Sequence, residues 1–417
     1  VATALDQVTT KENYDPFGDL DSYRADDNDT LLFETQYVRD SLSRITEKTE
    51  TIGGQTTTYH YIYDAAGRLE EVRRGGTTLS LYAYDENGNR ASYTDENSVV
   101  TTGEYDNQDR MTRYGTTTYT YTANGELLSK TRSGQITEYD YDILGNLRGV
   151  TLPDGTAIEY VIDGLSRRVG EKVNGALVRG FLYDEQLNPV AELDGGNNVV
   201  SLFVYASRSN VPDAMVSKKA DGVTWVEYRI LSDHLGSPRL VVNAATGQVA
   251  QRLDYDEFGN VTRDTNPGFQ PFGFAGGLYD ARTGLVRFGA RDYDAATGRW
   301  TTKDPIGFSA GDPNLYGYVF ADPINRIDSS GKQASGPICH IEITTEVPEP
   351  EPGYEFLGTR VTLDGEVVAG KDVHYPKEGA VKVHSVTIVD NYKLTHDIII
   401  THVYGKAPEI TVDFVKR

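Results

Sequence analysis

A tyrosine–aspartate pair stands at Tyr63-Asp64, Tyr84-Asp85, Tyr105-Asp106, Tyr141-Asp142 and Tyr183-Asp184, and a short degenerate unit at Tyr121-Thr122 and the pair Ile162-Asp163 fill the intervals. The steps are 21, 21, 16, 20, 21 and 21 residues. A fixed period of this size demands stacked repeats, each burying the face of its neighbour. Each pair leads into a turn signal: Asp64-Ala-Ala-Gly67, Asp85-Glu-Asn-Gly88, Asp142-Ile-Leu-Gly145 and Asp256-Glu-Phe-Gly259. Asp bonds its own downstream backbone, and Gly accepts the positive φ that closes the turn. About seven residues of strand, a turn, seven more of strand and a second turn complete one period, so each repeat reads as one β-hairpin. The tyrosines recur at equivalent places and are expected to stack into aromatic ladders that pack hairpin on hairpin. The expected fold class is all-β, a spiral of antiparallel hairpins.

Bulk properties narrow the function classes. A net charge of −22 opposes nucleic-acid binding by this scaffold, because phosphate contact needs a basic surface. No run of 18 apolar residues exists, so no transmembrane segment is expected. The chain starts at Val1 with an acidic opening and shows no signal peptide, as a piece of a longer or processed polypeptide would. Cys339 is the single cysteine, which rules out a disulfide framework.

Four segments follow. Residues 1–254 form the hairpin array, with degenerate early repeats such as Tyr14-Asp15-Pro-Phe-Gly18 and a looser period after residue 206. Residues 255–331 carry a denser pattern. Residues 332–353 form a Pro/Glu-rich linker that includes Val347-Pro-Glu-Pro-Glu-Pro-Gly353. Residues 354–417 alternate as strands, for example Val381–Val389 and His396–His402, and form a small β-rich domain.

The dense segment reads Gly277-Leu-Tyr-Asp280, Arg291-Asp-Tyr-Asp294, Thr297-Gly-Arg-Trp300, Asp304-Pro-Ile-Gly307, Asn314-Leu-Tyr-Gly-Tyr318 and Pro323-Ile-Asn-Arg-Ile-Asp328-Ser-Ser-Gly331. With the array before it, this resembles the Rhs/YD-repeat family with its repeat-associated core. The resemblance implies a hollow β-cocoon closed by a core plug, with a variable C-terminal polypeptide held or presented. It also implies an aspartyl-protease-like site that cuts the chain at the core boundary. By that resemblance Asp304, Asp328 and Arg291 are the catalytic candidates, and Gly331, Lys332 and Gln333 are the cleavage region. The family's Asp-Pro-x-Gly-Leu is replaced here by Asp328-Ser-Ser-Gly-Lys332, and the array is short for the family.

The chemistry is sound in outline. Two close carboxylates share a proton and divide into acid and base, with Arg291 expected to keep one of them ionised. The same residue types also suit a structural role, as turn formers with an ion-pair partner. Asp233-His234 is read as ordering a loop of the shell. Five of the seven histidines (His340, His374, His384, His396 and His402) lie in the tail, where no zinc or nuclease spacing is recognised and partly exposed sheet histidines are the better reading. Cys339-His340 points to opposite strand faces and is read as inert. No cofactor or metal motif is recognised. The expected function is an exported scaffold, secreted or on the cell surface, that holds its own C-terminal domain as cargo and releases it. Its expected partners are delivery-system components or further copies of itself. The alternative is a non-enzymatic surface or fibre-forming adhesive protein whose tail stays attached.

Overall fold

The computed structural model describes residues 2–335, apart from 185, 186 and 220, together with four backbone strands in the tail. Contacts divide the chain into two units, Val1–His340 and Ile341–Arg417. The expected all-β class holds: strands dominate, and the described residues contain three short 3-10 turns and no α-helix.

In the first unit, 25 strands run from β1 (Ala2–Leu5) to β25 (Val261–Asp264), each antiparallel to the one before it. Period-two alternation sets the faces. In β4 (Thr30–Arg39), Phe33, Thr35 and Tyr37 are buried while Val38 is exposed. The pairing slips by one residue just before the repeat tyrosine, at Ile62/Tyr63, Ala83/Tyr84, Asp140/Tyr141 and Leu182/Tyr183. A bulge adds local right-handed twist, so a bulge repeated at one level of every hairpin curls the sheet. The curl brings the ends together. Val8, Tyr23, Phe33 and Ile52 from the first strands share a cluster with Leu231, Leu240 and Val242 from the late ones. Across the same seam Gln7 N donates to Ala244 O at 3.1 Å, and Arg239 Nη2 donates to Glu50 Oε1 at 2.9 Å.

Asp64 Oδ1 accepts the amides of Ala66 and Arg68, and its Oδ2 accepts from Arg68 Nε at 2.7 Å. Gly67 takes φ 83° to close the turn, and where Gly is absent Ser43, Asp109 and Ser166 adopt φ 59–62° in its place. The expected tyrosine ladder is not formed: successive repeat tyrosines make no ring pair among the described residues. Their hydroxyls instead donate to backbone of the preceding hairpin, Tyr63 to Ile45 O, Tyr84 to Leu69 O, Tyr105 to Arg90 O and Tyr183 to Arg168 O. The turn arginine of one repeat lies over the tyrosine of the next, with Arg44 at 4.6 Å from the Tyr63 ring and Arg68 at 4.9 Å from Tyr84. A phenol bearing a hydrogen bond at its tip and a cation on its face needs no partner ring.

Residues after β25 build a small four-stranded sheet, β26 (Leu278–Asp280), β27 (Leu285–Phe288), β28 (Arg291–Asp294) and β29 (Arg299–Trp300). They pack around Phe274, Phe288, Tyr293, Trp300 and Tyr318. This core docks on the turn rim of successive hairpins. Asn325 accepts from Ile45 N, Arg299 and Asn314 donate to Asn89, Tyr316 to Gly125 O, Arg287 to Asn146, and Asp292 pairs with Arg168.

In the second unit the four strands pair antiparallel in the order Glu366–Gly370, Glu355–Leu363, Lys393–Gly405, Val381–Asp390. Linker residues 336–353 and the side chains of Cys339 and the five tail histidines lie outside the described residues.

Candidate active site

Arg291, Asp304 and Asp328 meet in the core. Asp304 heads the turn Asp304-Pro305-Ile306-Gly307, where Ile306 N donates to its Oδ1 at 2.9 Å and Gly307 N to its carbonyl at 3.0 Å. Asp328 heads a second turn of the same type. Its Oδ1 accepts Ser330 Oγ at 3.0 Å and the amides of Lys332 and Gln333, both at 3.1 Å. Both carboxylates therefore sit where the array places its turn-forming aspartates.

What differs is the destination of the second oxygen. Arg291, the first residue of β28, brings Nη2 to 2.7 Å from Asp304 Oδ2 and 3.1 Å from Asp328 Oδ2. The three side chains are 3%, 7% and 3% exposed. The Arg291 guanidinium lies 4.1 Å from the Trp300 ring centre. Arginine was expected to hold one carboxylate ionised; it bridges both, because two turns converge on one nitrogen. Burial pulls the Arg291 guanidinium below its ordinary pKa, opposed by the charges of Asp304 and Asp328, and it stays cationic. Burial also raises Asp304, opposed by Arg291 and reinforced by the Asp328 charge. One cation facing two carboxylates leaves the charges of this buried site unbalanced by one.

The cleavage region lies against this cluster. Gly331 takes φ 65°, and a Cβ there would stand 2.3 Å from Phe288 O, so glycine is required. Arg291 Nε donates to Gly331 O at 2.6 Å while Lys332 N–H donates to Asp328 Oδ1 at 3.1 Å. Both ends of the Gly331–Lys332 peptide bond are thus gripped. Ser335 and Ile327 exchange backbone hydrogen bonds at 2.9 and 2.7 Å, which folds the segment back over Asp328. A guanidinium on a carbonyl oxygen, a carboxylate at the amide nitrogen and a second carboxylate nearby are the parts amide hydrolysis needs.

Asp233-His234 is placed elsewhere, at the seam between array and core. His234 Nε2 donates to Ile324 O at 2.7 Å, and its ring lies 4.9 Å from Tyr37. Burial lowers its pKa to about 4, so the neutral ring serves to order the loop. Sequence reasoning missed Trp300, the platform under Arg291, and the asparagines that seat the core. A partial signal for these was present: the residue four after the turn aspartate is Arg at 44, 68, 110 and 167, but Asn at 89, 146, 188, 198 and 260. Asn89, Asn146 and Asn260 all bond to core residues.

Residues 2–324 match the model of the Teneurin YD-shell family. Mouse (Mus musculus) Teneurin-4 is 32% identical over 310 residues, covering 73% of this chain and 11% of that protein. Danio rerio Teneurin-3 is 31% identical over 340 residues, covering 78% and 12%. The tRNA nuclease WapA of Bacillus subtilis (strain 168) is 27% identical over 274 residues, covering 63% and 11%. The chain therefore spans about a tenth of the length of these curated relatives. Among solved structures, the crystal structure of TcdB2-TccC3-TEV superposes with a TM-score of 0.62 at 17% identity, covering 78% of this chain and 18% of that one. The Photorhabdus luminescens Tc holotoxin pore with the TccC3-D651A mutation gives 0.62 at 17%, covering 82% and 18%. At those identities the likeness is one of fold alone. With the array and most of the core inside the matched span, which ends before Asp328, the chain belongs to the Teneurin YD-shell family and is an Rhs/YD-repeat protein.

Proposed function

We propose that this chain is the shell and core of a larger exported protein, secreted or displayed at a cell surface, that presents the polypeptide after the core and cuts it free beside Gly331. The observation that carries this reading is the double grip on one peptide bond, Arg291 Nε on the Gly331 oxygen and Asp328 Oδ1 on the Lys332 nitrogen. Water adds to the Gly331 carbonyl carbon and gives its proton to one carboxylate. Arg291 holds the oxyanion. The Lys332 nitrogen takes the proton that the carboxylate pair carries, and the C–N bond breaks to leave a Gly331 carboxylate and a Lys332 amine. The tail is then cargo, and toxin-related relatives such as WapA and the Tc complexes make delivery-system components its partners.

The test is intact mass under denaturing conditions, which separates a cut tail from a shell that retains it. The parent is expected to give two species and Asp328→Asn a single one at 46.0 kDa. A parent that stays whole at 46.0 kDa overturns cleavage. In that case the adhesive surface reading moves ahead. Two features favour it: Ser329 and Lys332 stand where the family has Pro and Leu, and three donors already occupy Asp328 Oδ1.

A further inference from the structure

Arg90 is buried to 6% exposure in the turn rim, and its cation is enclosed by aromatic rings, 4.0 Å from the Phe258 ring centre and 4.8 Å from Tyr82. Its one hydrogen bond is a long one, Nη1 to the Tyr114 hydroxyl at 3.4 Å. Nε and Nη2 are buried and have no hydrogen-bond partner. The nearby carboxylates are spoken for. Asp256 accepts from Phe258 N, Asn260 N and Asn260 Nδ2, and Glu257 accepts from the Tyr82 hydroxyl. Neither forms an ion pair with Arg90. Nε and Nη2 are the adjacent edge of the guanidinium that presents two parallel N–H donors, the fork that fits a carboxylate.

Arg90 lines a cleft of about 210 Å³ between the array and the core. Tyr84, Phe258, Pro313, Tyr318 and Phe320 supply its apolar walls, and Arg68 and Arg299 add positive charge. Those two arginines are already engaged, Arg68 with Asp64 and Arg299 with Asn89 and the Asp109 carbonyl. Arg90 is therefore the one of the three lining arginines without a partner on this edge, and the Tyr318 hydroxyl is a second buried donor with no hydrogen-bond partner in the same lining. An unpaired buried guanidinium is costly until an anion meets it, and replacing a missing bidentate partner restores that loss.

We propose that this cleft is a binding site for a carboxylate borne on an apolar or aromatic group, such as the C-terminal residue of a peptide, with Arg90 as the fork that receives it. The volume suits one amino-acid-sized ligand, and an apolar wall with a few polar anchors is the usual make-up of a ligand cleft. The acidic neighbours Glu86 and Asp312 stand in the same lining and select against ligands of higher negative charge. The proposal does not rest on cleavage at Gly331, because Arg291, Asp304 and Asp328 are not among the lining residues.

The test is titration calorimetry of the full chain with 3-phenylpropionate, its uncharged amide and inorganic phosphate as separate probes. The carboxylate is expected to bind at least about tenfold more tightly than the amide, a difference of about 1.4 kcal/mol. Arg90→Lys, which keeps the charge and loses the fork, is expected to abolish that preference. Phe320→Ala, at a position 38% exposed, is expected to weaken the carboxylate while leaving its preference over the amide intact. Equal binding of acid and amide overturns the proposal, as does absence of saturable binding up to about 10 mM. Tighter binding of phosphate than of 3-phenylpropionate overturns the carboxylate assignment.

Discussion

The array and the core use the same aspartate turn for opposite ends. In the array Asp64 spends both oxygens within its own turn, on the amides of Ala66 and Arg68 and on the Arg68 side chain, at 19% and 23% side-chain exposure for Asp64 and Arg68. In the core Asp304 keeps the local bond to Ile306 N but sends its other oxygen to Arg291, and Asp328 does the same from a second turn. Each repeat is locally complete, which is what a chain stacked in one dimension requires. The core instead draws two turns onto one distant cation and removes water from them. Redirecting one oxygen of a turn aspartate, and burying the result, converts a structural unit into a candidate catalytic one.

That contrast predicts very different costs for removing an arginine. Arg291→Ala strands two buried carboxylates and is expected to lower unfolding free energy by about 3–5 kcal/mol. Arg68→Ala opens a partly exposed pair and is expected to cost about 1 kcal/mol or less. Urea unfolding of the two variants beside the parent measures both, and similar losses would mean that the core cluster is no more than another turn. The next effect is the seat of the core. Asn89 is 1% exposed and accepts from Arg299 at 2.6 Å and Asn314 at 2.7 Å. Asn89→Ala removes the acceptor that both donors share and is expected to cost about 1–3 kcal/mol. Asn198, exposed and bonded within its own turn to Asp194, is expected to change stability by less than about 0.5 kcal/mol on replacement by Ala. Equal effects in thermal melts would remove the distinction between core-facing and free turns.

The array was legible in the sequence because its information is local. Period, turn aspartate and turn glycine lie within five residues of one another, and Asp64 to Arg68 can be read as one sentence. The trio at 291, 304 and 328 became visible only through a family resemblance, since nothing in their spacing says that they share a nitrogen. Two things failed to follow from periodicity. Equivalent tyrosines were expected to stack, yet spacing along the chain says nothing of whether a carbonyl or a guanidinium reaches the ring first. The Asn-for-Arg exchange at 89, 146 and 260 was in plain view, but its meaning depends on the core that covers those turns, more than 30 residues away in every case.

The last effect is also the most specific to the comparison. In the array, hydrogen bonds from the turn overcome a desolvation penalty and hold Asp40, Asp106, Asp142 and Asp163 below the usual carboxylate pKa. Asp256 makes the same local bonds, yet burial under the core and the Glu257 charge raise it from 3.8 to about 7. The signs then oppose. A lowered group contributes stability that is lost as pH falls through its folded pKa. Asp256 binds a proton in the folded state that the unfolded chain has released, so its contribution is lost as pH rises from 3.8 to about 7. Asp322, raised by burial to about 6, acts in the same direction, while His234, lowered from 6.5 to about 4, acts in the other. Both remain in an Asp256→Asn variant, so the difference from the parent isolates Asp256. That variant is expected to lose up to about 1.4 kcal/mol per pH unit of slope between pH 4 and 7, the limit for one proton. Asp142→Asn is expected to lower stability by a constant amount across that window without changing its slope, and to approach the parent only in more acidic solution, where the parent loses the same contribution. Urea midpoints taken across the range decide it: parallel curves for parent and Asp256→Asn would mean that the core imposes no new environment on the turn it covers.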